Sequence, residues 1–363
     1  NSFIENSNKS DFTFSQKDLR NILSKIELGL KDIINPGLGS LNRLYMATEL
    51  LNLKRNSWNG VKLCLVEELE AHLHPQAQMK VINKLLQCSE KDNIQFILTS
   101  HSPNLTSKLP IENLIYCHKE SCYPMGKNFT NLDEDDYKYL QKFLDVTKSN
   151  LFFAKGLIFV EGWSEEIFLP SFAKVLKNNG IITKDLTEAG VSIINVGNLA
   201  FLRYVKIFQR KDNTVIDLPI SIITDSDVSK YQKEKDSNQI YELNEKEIAQ
   251  KLNDKTKELK DTYDYKNSMK VFIARDWTFE FALYKSQIFN TKLQEVIKEI
   301  HSKTEFDNFE KALASKLINQ SLKKTEIVYR LSSCLEKINF TKDKIESDTS
   351  IQYLVEAIKF VCK

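Results

Sequence analysis

The 363 residues contain no apolar run long enough to cross a bilayer, and no basic then apolar leader precedes a cleavage site. Membrane insertion is therefore not expected, and the chain reads as cytoplasmic. Six cysteines, at 64, 88, 117, 122, 334 and 362, form no CxxC pair and have no histidine at zinc spacing, which excludes a structural zinc module and favours reduced thiols. Charge of one sign is also lacking. With 51 Lys and Arg against 49 Asp and Glu, no global basic field advertises a polyanion, so any nucleic-acid surface must be a local patch. There is no internal repeat and no low-complexity tract. No GxxxxGK[ST] loop occurs either, so the usual phosphate cradle and its lysine are absent from these residues. The chain opens on Asn1 rather than methionine, and the expectation is that a preceding segment carries that loop.

With 42% hydrophobic and 28% charged residues, a chain of this length can bury two cores. Leu19, Ile22, Leu23, Ile26 and Leu30 recur at helical spacing, and after a turn at 35–39 a second helix is predicted over 41–53. Val61–Val66 and Ile94–Leu98 are short apolar runs of buried-strand type. Between them lies a helix with Pro75 in its first turn. Residues 119–150 shift to an acidic composition suited to a connector. Strand and helix then alternate again from Gly156: strands at 157–160, 192–196, 220–224 and 271–274, with a lysine-rich exposed insertion over 230–270 and helices from about Trp277 onward. This is an α/β pattern with parallel sheets, in which ligands bind at the carboxyl ends of strands.

Two groups of acids sit at such ends. Glu67 and Glu68 follow the run LCLV, where desolvation is costly unless cations or hydrogen bonds answer it. There the first acid can hold Mg²⁺ and the second can orient an attacking water. A strand merely ending in solvent would present the same pair. The second group is stronger. Glu161 ends an apolar run, Gly162 makes the turn and Glu165 lies on the next helix; about sixty residues later Asp225 and Asp227 end another buried run. Acids brought together from neighbouring parallel strands repel one another unless divalent cations lie between them, and oxygen-only ligands suit Mg²⁺ or Mn²⁺.

LVEELEAHLHP followed by FILTSHSP resembles the extended Walker B, D-loop and switch-histidine regions of ABC-type ATPases, closest to those of the OLD (overcoming lysogenisation defect) family. The resemblance implies Glu67 on the Mg²⁺ side, Glu68 as catalytic glutamate and His101 as sensor of the γ-phosphate. PGLGSLNRLYMATELL is similar to the family's signature segment, and Gly37, Gly39 and Asn42 are the positions carried over, with Pro36 where many relatives have a hydroxyl residue. EGWSEE with TDSD resembles the Toprim signature; INVGN between them has Asn198 in place of a frequent second glycine. DWTFEFAL resembles the OLD-family threonine and acid segment, which implies Glu280 as a further ligand, and KKTEIVYRL resembles the helix in which Lys324 stabilises charge on the phosphate, with Val328 in place of the more usual alanine.

The fold expected from this resemblance is α/β: the C-terminal part of an ABC-type ATPase domain over 1–118, a connector over 119–150, a Toprim domain over 151–285 and a helical C-terminal extension over 286–363. The implied activity is DNA endonuclease or nickase chemistry with two metal ions held by Glu161, Glu165, Asp225, Asp227 and Glu280, coupled to ATP. Implied partners are DNA, a second copy in a homodimer or larger assembly, and a helicase as in Gabija anti-phage systems. Two alternatives use the same residues: a nucleotide-gated DNA-binding module without nuclease activity, or another Toprim enzyme of topoisomerase or primase type. A primase would usually carry a zinc module, for which no spacing exists here.

Overall fold

A computed structural model describes residues 37–55, 60–197, 201–233, 240–302, 307–335, 338 and 340–362. The helix expected over 15–30, together with Pro36 and Asn198, lies outside these. Two compact units divide the chain, 1–99 and 100–363. Among the described residues no helix is long and apolar enough to cross a membrane.

In the first unit, helix α1 (Leu38–Arg55) precedes strand β1 (Lys62–Val66), helix α2 (Pro75–Asp92) and strand β2 (Ile94–Leu98). The two strands pair in parallel from Lys62 opposite Ile94 to Val66 opposite Leu98. Helix α2 starts as its sequence suggests: Pro75 fills the first turn, and the His74 ring accepts from the Ala77 backbone N–H. Its buried stripe is Ala77, Gln78, Ile82, Leu85 and Cys88. The expectation of fully buried strands is corrected here, because Leu63, Leu65 and Ile97 are 46%, 69% and 53% exposed. A mainly apolar run suits burial on both faces, but the described residues put these two strands in a ribbon that buries only the face another layer covers.

The second unit is built on a four-stranded parallel sheet in the order β10-β7-β5-β6. These strands are β5 (Gly156–Val160), β6 (Val191–Asn195), β7 (Ile220–Asp225) and β10 (Met269–Ala274). Before them come a short helix α3 (Pro103–Thr106), the antiparallel hairpin β3 (Ile115–His118) and β4 (Ser121–Pro124), and helix α4 (Glu134–Phe143). The stretch read as a connector contributes Met125, Leu132, Tyr137, Leu140 and Leu144 to one face of the sheet's core. Its acidic run has a local cause: Asp133 caps α4, and Asp136 returns the bond in a capping box. Within the 230–270 insertion the described residues form a second hairpin, β8 (Tyr231–Lys233) and β9 (Ile240–Glu242), and helix α7 (Glu245–Tyr263).

Helix α5 (Trp163–Asn178) packs on one face of the sheet with the later helices, and α6 (Phe201–Lys206) on the other. Phe168 and Phe172 of α5 anchor the first face, their rings 5.4 and 5.8 Å from Phe289. The remaining helices are α8 (Phe279–Lys285), α9 (Asn290–Ile300), α10 (Phe309–Ile318), α11 (Lys324–Ser333), α12 (Lys342–Ser347) and α13 (Gln352–Val361). Because the chain leaves β5 toward β6 and then returns past β5 to β7, the connections diverge between β5 and β7. In a parallel sheet the loops separate there and leave a crevice beyond the strands' carboxyl ends.

Candidate active site

That crevice is where the acids stand. Glu161 follows the last residue of β5, and Asp225 is the last residue of β7. The register pairs Leu157 with Ile220 and Phe159 with Ile222, so the two acids leave neighbouring strands at nearly the same height. One Glu161 carboxylate oxygen accepts from the Asp225 backbone N–H at 3.1 Å and from the Thr224 hydroxyl. Asp227 lies just past the strand, exposed, with a left-handed φ of 55°. Its backbone N–H is tied at 3.2 Å to the carbonyl of Trp277, itself at φ 71°. Two non-glycine residues in this costly conformation, bonded to each other, hold the turns after β7 and β10 beside one another.

Two further acids arrive on helix starts. Glu165 is in the first turn of α5 and Glu280 in the first turn of α8; they are 6% and 2% exposed. The positive ends of both helix dipoles offset part of their charge. Thr278 caps α8 by accepting from the Phe281 backbone N–H, and the Ser164 hydroxyl donates to Glu280 Oε1 at 3.0 Å. Lys324 comes from the start of α11, where a positive side chain opposes the helix dipole, and its Nζ lies 2.9 Å from Glu280 Oε2. That oxygen is buried and makes no aligned hydrogen bond among the described residues, so the contact is an ion pair whose approach leaves a lone pair open.

The charges explain the proton affinities. Burial, then the Glu280 and Glu161 carboxylates, push Glu165 up to about 8. Asp225 is raised well above the usual aspartate range by burial and by Glu165, Glu161 and Glu280. Glu161 is raised by burial against the opposing hydrogen bonds from Thr224 and Asp225. Burial pulls Lys324 down, but the Glu280 carboxylate outweighs it and the ammonium is held above its ordinary value. One lysine cannot offset all of these carboxylates, so without a cation Glu165 and Asp225 hold their protons to higher pH.

Among the described residues no group of three His, Cys, Asp or Glu side chains is already gathered tightly enough to hold a metal ion. The donor set nevertheless fits a hard divalent cation. It consists of oxygens only, it carries more negative charge than Lys324 offsets, and one buried Glu280 oxygen lacks an aligned donor. Glu161, Glu165, Asp225 and Glu280 are thus brought together with Lys324, and Asp227 acts on Glu161 from the rim.

A pH dependence follows with a definite sign. A carboxyl whose folded pKa is raised binds protons more tightly when folded, so its contribution to stability is greatest below the unfolded value of 4.5 and is lost as pH rises toward about 8. The metal-free protein is expected to lose melting temperature across that window, and saturating Mg²⁺ to flatten the loss. Thermal melts with EDTA and with Mg²⁺ across the window check this; a metal-free protein that gains stability with rising pH contradicts it.

In the first unit, Glu67 and Glu68 are exposed after β1, and Glu68 has a left-handed φ of 46° with its backbone N–H on the Thr99 hydroxyl at 3.1 Å. Gly37 is open, with nothing near the place a Cβ would take. Gly39 has a structural need for its identity, since a Cβ would lie 2.3 Å from the His72 carbonyl oxygen. Asn42 donates to the Ala71 carbonyl at 3.1 Å. The signature-like segment therefore docks on the turn after Glu67 and Glu68. His101 falls in the second unit.

Several contributing residues had not been singled out in the sequence. Ser164 and Thr224 sit inside the two Toprim-like motifs, so their position next to the acids was the available signal. Asn195 binds Glu166 at 2.9 Å and accepts from Gly197 N–H at 3.0 Å, with Gly197 at φ 57° where glycine is favoured.

Residues 152–227 match the family described as "Overcoming lysogenization defect protein-like, TOPRIM domain". The second unit carries an OLD-like Toprim domain. Residues 1–106 match the AAA ATPase domain family. Endonuclease GajA of Bacillus cereus strain HuB5-5 is 26% identical over 357 residues, covering 84% of this chain and 50% of that protein. The OLD nuclease of Thermus scotoductus is 24% identical over 172 residues, 45% of this chain and 30% of its own. The Escherichia coli protein named Retron Ec83 probable ATPase is 36% identical over 72 residues, 19% of this chain and 13% of its own. The chain thus spans half the length, or less, of these relatives. The Toprim match covers β5 through Asp227, and so includes Glu161, Glu165, Asp225 and Asp227; Glu280 and Lys324 lie beyond it.

Proposed function

We propose that this protein is a metal-dependent DNA endonuclease or nickase whose chemistry resides in the Toprim domain and whose ATPase unit governs it, acting in defence against phage. The observation that carries the proposal is the meeting of Glu161, Glu165, Asp225 and Glu280 around Lys324 at the crevice between β5 and β7. Relatives named as an endonuclease and a nuclease support the reading.

Glu161, Glu165, Asp225, Asp227 and Glu280 would hold Mg²⁺ or Mn²⁺, as one or two ions. Such ions lower the pKa of bound water and stabilise charge on the leaving oxygen. The protein's own part is to fix the carboxylates. The Thr224 hydroxyl and the Asp225 N–H orient Glu161, and Ser164 orients Glu280. Lys324, about half exposed, can turn from Glu280 toward a scissile phosphate, where its positive charge stabilises the pentavalent transition state. Phosphate contacts from local basic side chains would bind DNA with little sequence reading and a steep salt dependence. Glu67, Glu68 and His101, with Gly37, Gly39 and Asn42, would serve ATP in an assembly of two or more copies, completed by a phosphate loop, and a helicase partner is compatible with this scheme.

The test is supercoiled plasmid incubated with the full-length protein and Mg²⁺ or Mn²⁺. Hydrolytic nicks that disappear with EDTA and return with added metal are expected. DNA binding without cutting under every metal and nucleotide condition would instead indicate a nucleotide-gated binding module.

A further inference from the structure

The C-terminal helix α13 runs antiparallel to the central strands, and two contacts fix its height. Gly156, the first residue of β5, lies against Val361, whose carbonyl oxygen is 3.3 Å from where a Gly156 Cβ would stand. The Ser221 hydroxyl, on the second residue of β7, donates to the Ala357 carbonyl at 2.8 Å. Ser221 pairs with Ile158, two residues beyond Gly156. Two strand residues rise about 6.6 Å and four helix residues about 6 Å, so helix and strands advance in step. One further turn puts Tyr353 on the same face, at the height of Val160 and Ile223, just before Glu161 and Asp225. Side chains on a helix lean toward its N-terminus, which carries the phenol onward to the level of the acids.

The Tyr353 hydroxyl is buried and has no hydrogen-bond partner among the described residues. A phenol O–H left unpaired inside a core costs stability that a phenylalanine would avoid, and it leaves a donor open to an acceptor that moves within reach. Burial and the nearby Asp225, Glu165, Glu280 and Asp276 carboxylates keep the group protonated. We propose that Tyr353 is a positioning residue of the metal site: when a divalent cation binds, its hydroxyl donates a hydrogen bond to a carboxylate ligand, Asp225 first, and orients it. The inference rests on the metal-site reading above and adds a donor outside both Toprim-like motifs. Hydrogen bonds of this kind to metal ligands are worth about 10–100-fold in metal affinity.

The test is Mn²⁺ binding to the full-length protein without DNA, followed by electron paramagnetic resonance, for wild type, Tyr353→Phe and Tyr204→Phe. Tyr204 is a control, a buried tyrosine whose hydroxyl bonds to the Phe143 carbonyl away from the acids. Tyr353→Phe is expected to bind Mn²⁺ about 10–100-fold more weakly, while its metal-free melting temperature is unchanged or slightly raised. Tyr204→Phe is expected to bind as wild type does. Equal affinity of Tyr353→Phe and wild type overturns the role of Tyr353 and leaves the metal site standing. Equal weakening by Tyr204→Phe overturns it as well, since the effect is then unspecific. A wild-type protein that binds no Mn²⁺ overturns the metal-site reading itself.

Discussion

Replacing Asp225 by asparagine is expected to slow metal-dependent plasmid nicking by about three orders of magnitude, equivalent to ~4 kcal/mol of transition-state stabilisation. Its carboxylate interacts with Glu165, Glu161 and Glu280 at once, so under the proposed reading the substitution removes a ligand from the centre of the site. The same substitution has an opposite effect on the metal-free fold. Once pH is high enough to deprotonate Asp225 and Glu165 the carboxylates repel one another, and the neutral amide relieves that repulsion, so at such pH the variant's melting temperature in EDTA should rise. Loss of cutting with a gain in stability is a signature that general unfolding does not produce. Nicking rates at saturating Mg²⁺ and melts in EDTA read the two effects; a variant that cuts normally would sink the proposed chemistry.

Lys324→Met should give the complementary pattern. Methionine keeps much of the stem and removes the ammonium that lies 2.9 Å from Glu280. Without it, Glu280 at 2% exposure loses its paired cation, so the metal-free protein is expected to melt at a lower temperature. Saturating Mg²⁺ should restore the melting temperature because divalent charge replaces the lysine among the acids. The cutting rate should stay down by on the order of 10²–10³, as when one preorganised transition-state donor is removed. If Mg²⁺ restores rate along with stability, Lys324 serves only as a counterion to Glu280.

The two variants separate charge balance from chemistry because the site couples them. An acid cluster with surplus charge is unstable as an empty fold, and its instability is the driving force for taking up a cation. The expected loss of melting temperature with rising pH belongs to the same balance.

Sequence alone determined the strands that matter most. GLIFV is a continuous apolar run and ISIITD a largely apolar one, both suit burial on both faces, and each leads to an acid at its carboxyl end. The Toprim-like motifs, the α/β class and the start of α2 at Pro75 were legible for the same reason: local residue type and period act over a few residues. Tertiary structure decided the rest. Whether Leu63 and Leu65 are covered depends on neighbouring layers, which a strand's own residues do not encode. Residues 125–144 joined the core although their acidic helix start resembled a connector, because Asp133 and Asp136 are occupied in capping while Leu140 and Leu144 point inward. Tyr353 carried no motif at all; its height near the acids follows only from the strand order β10-β7-β5-β6 and from α13 running antiparallel to those strands. Residue chemistry is local, whereas the convergence of charges from separate strands and helices is a property of strand order and helix direction.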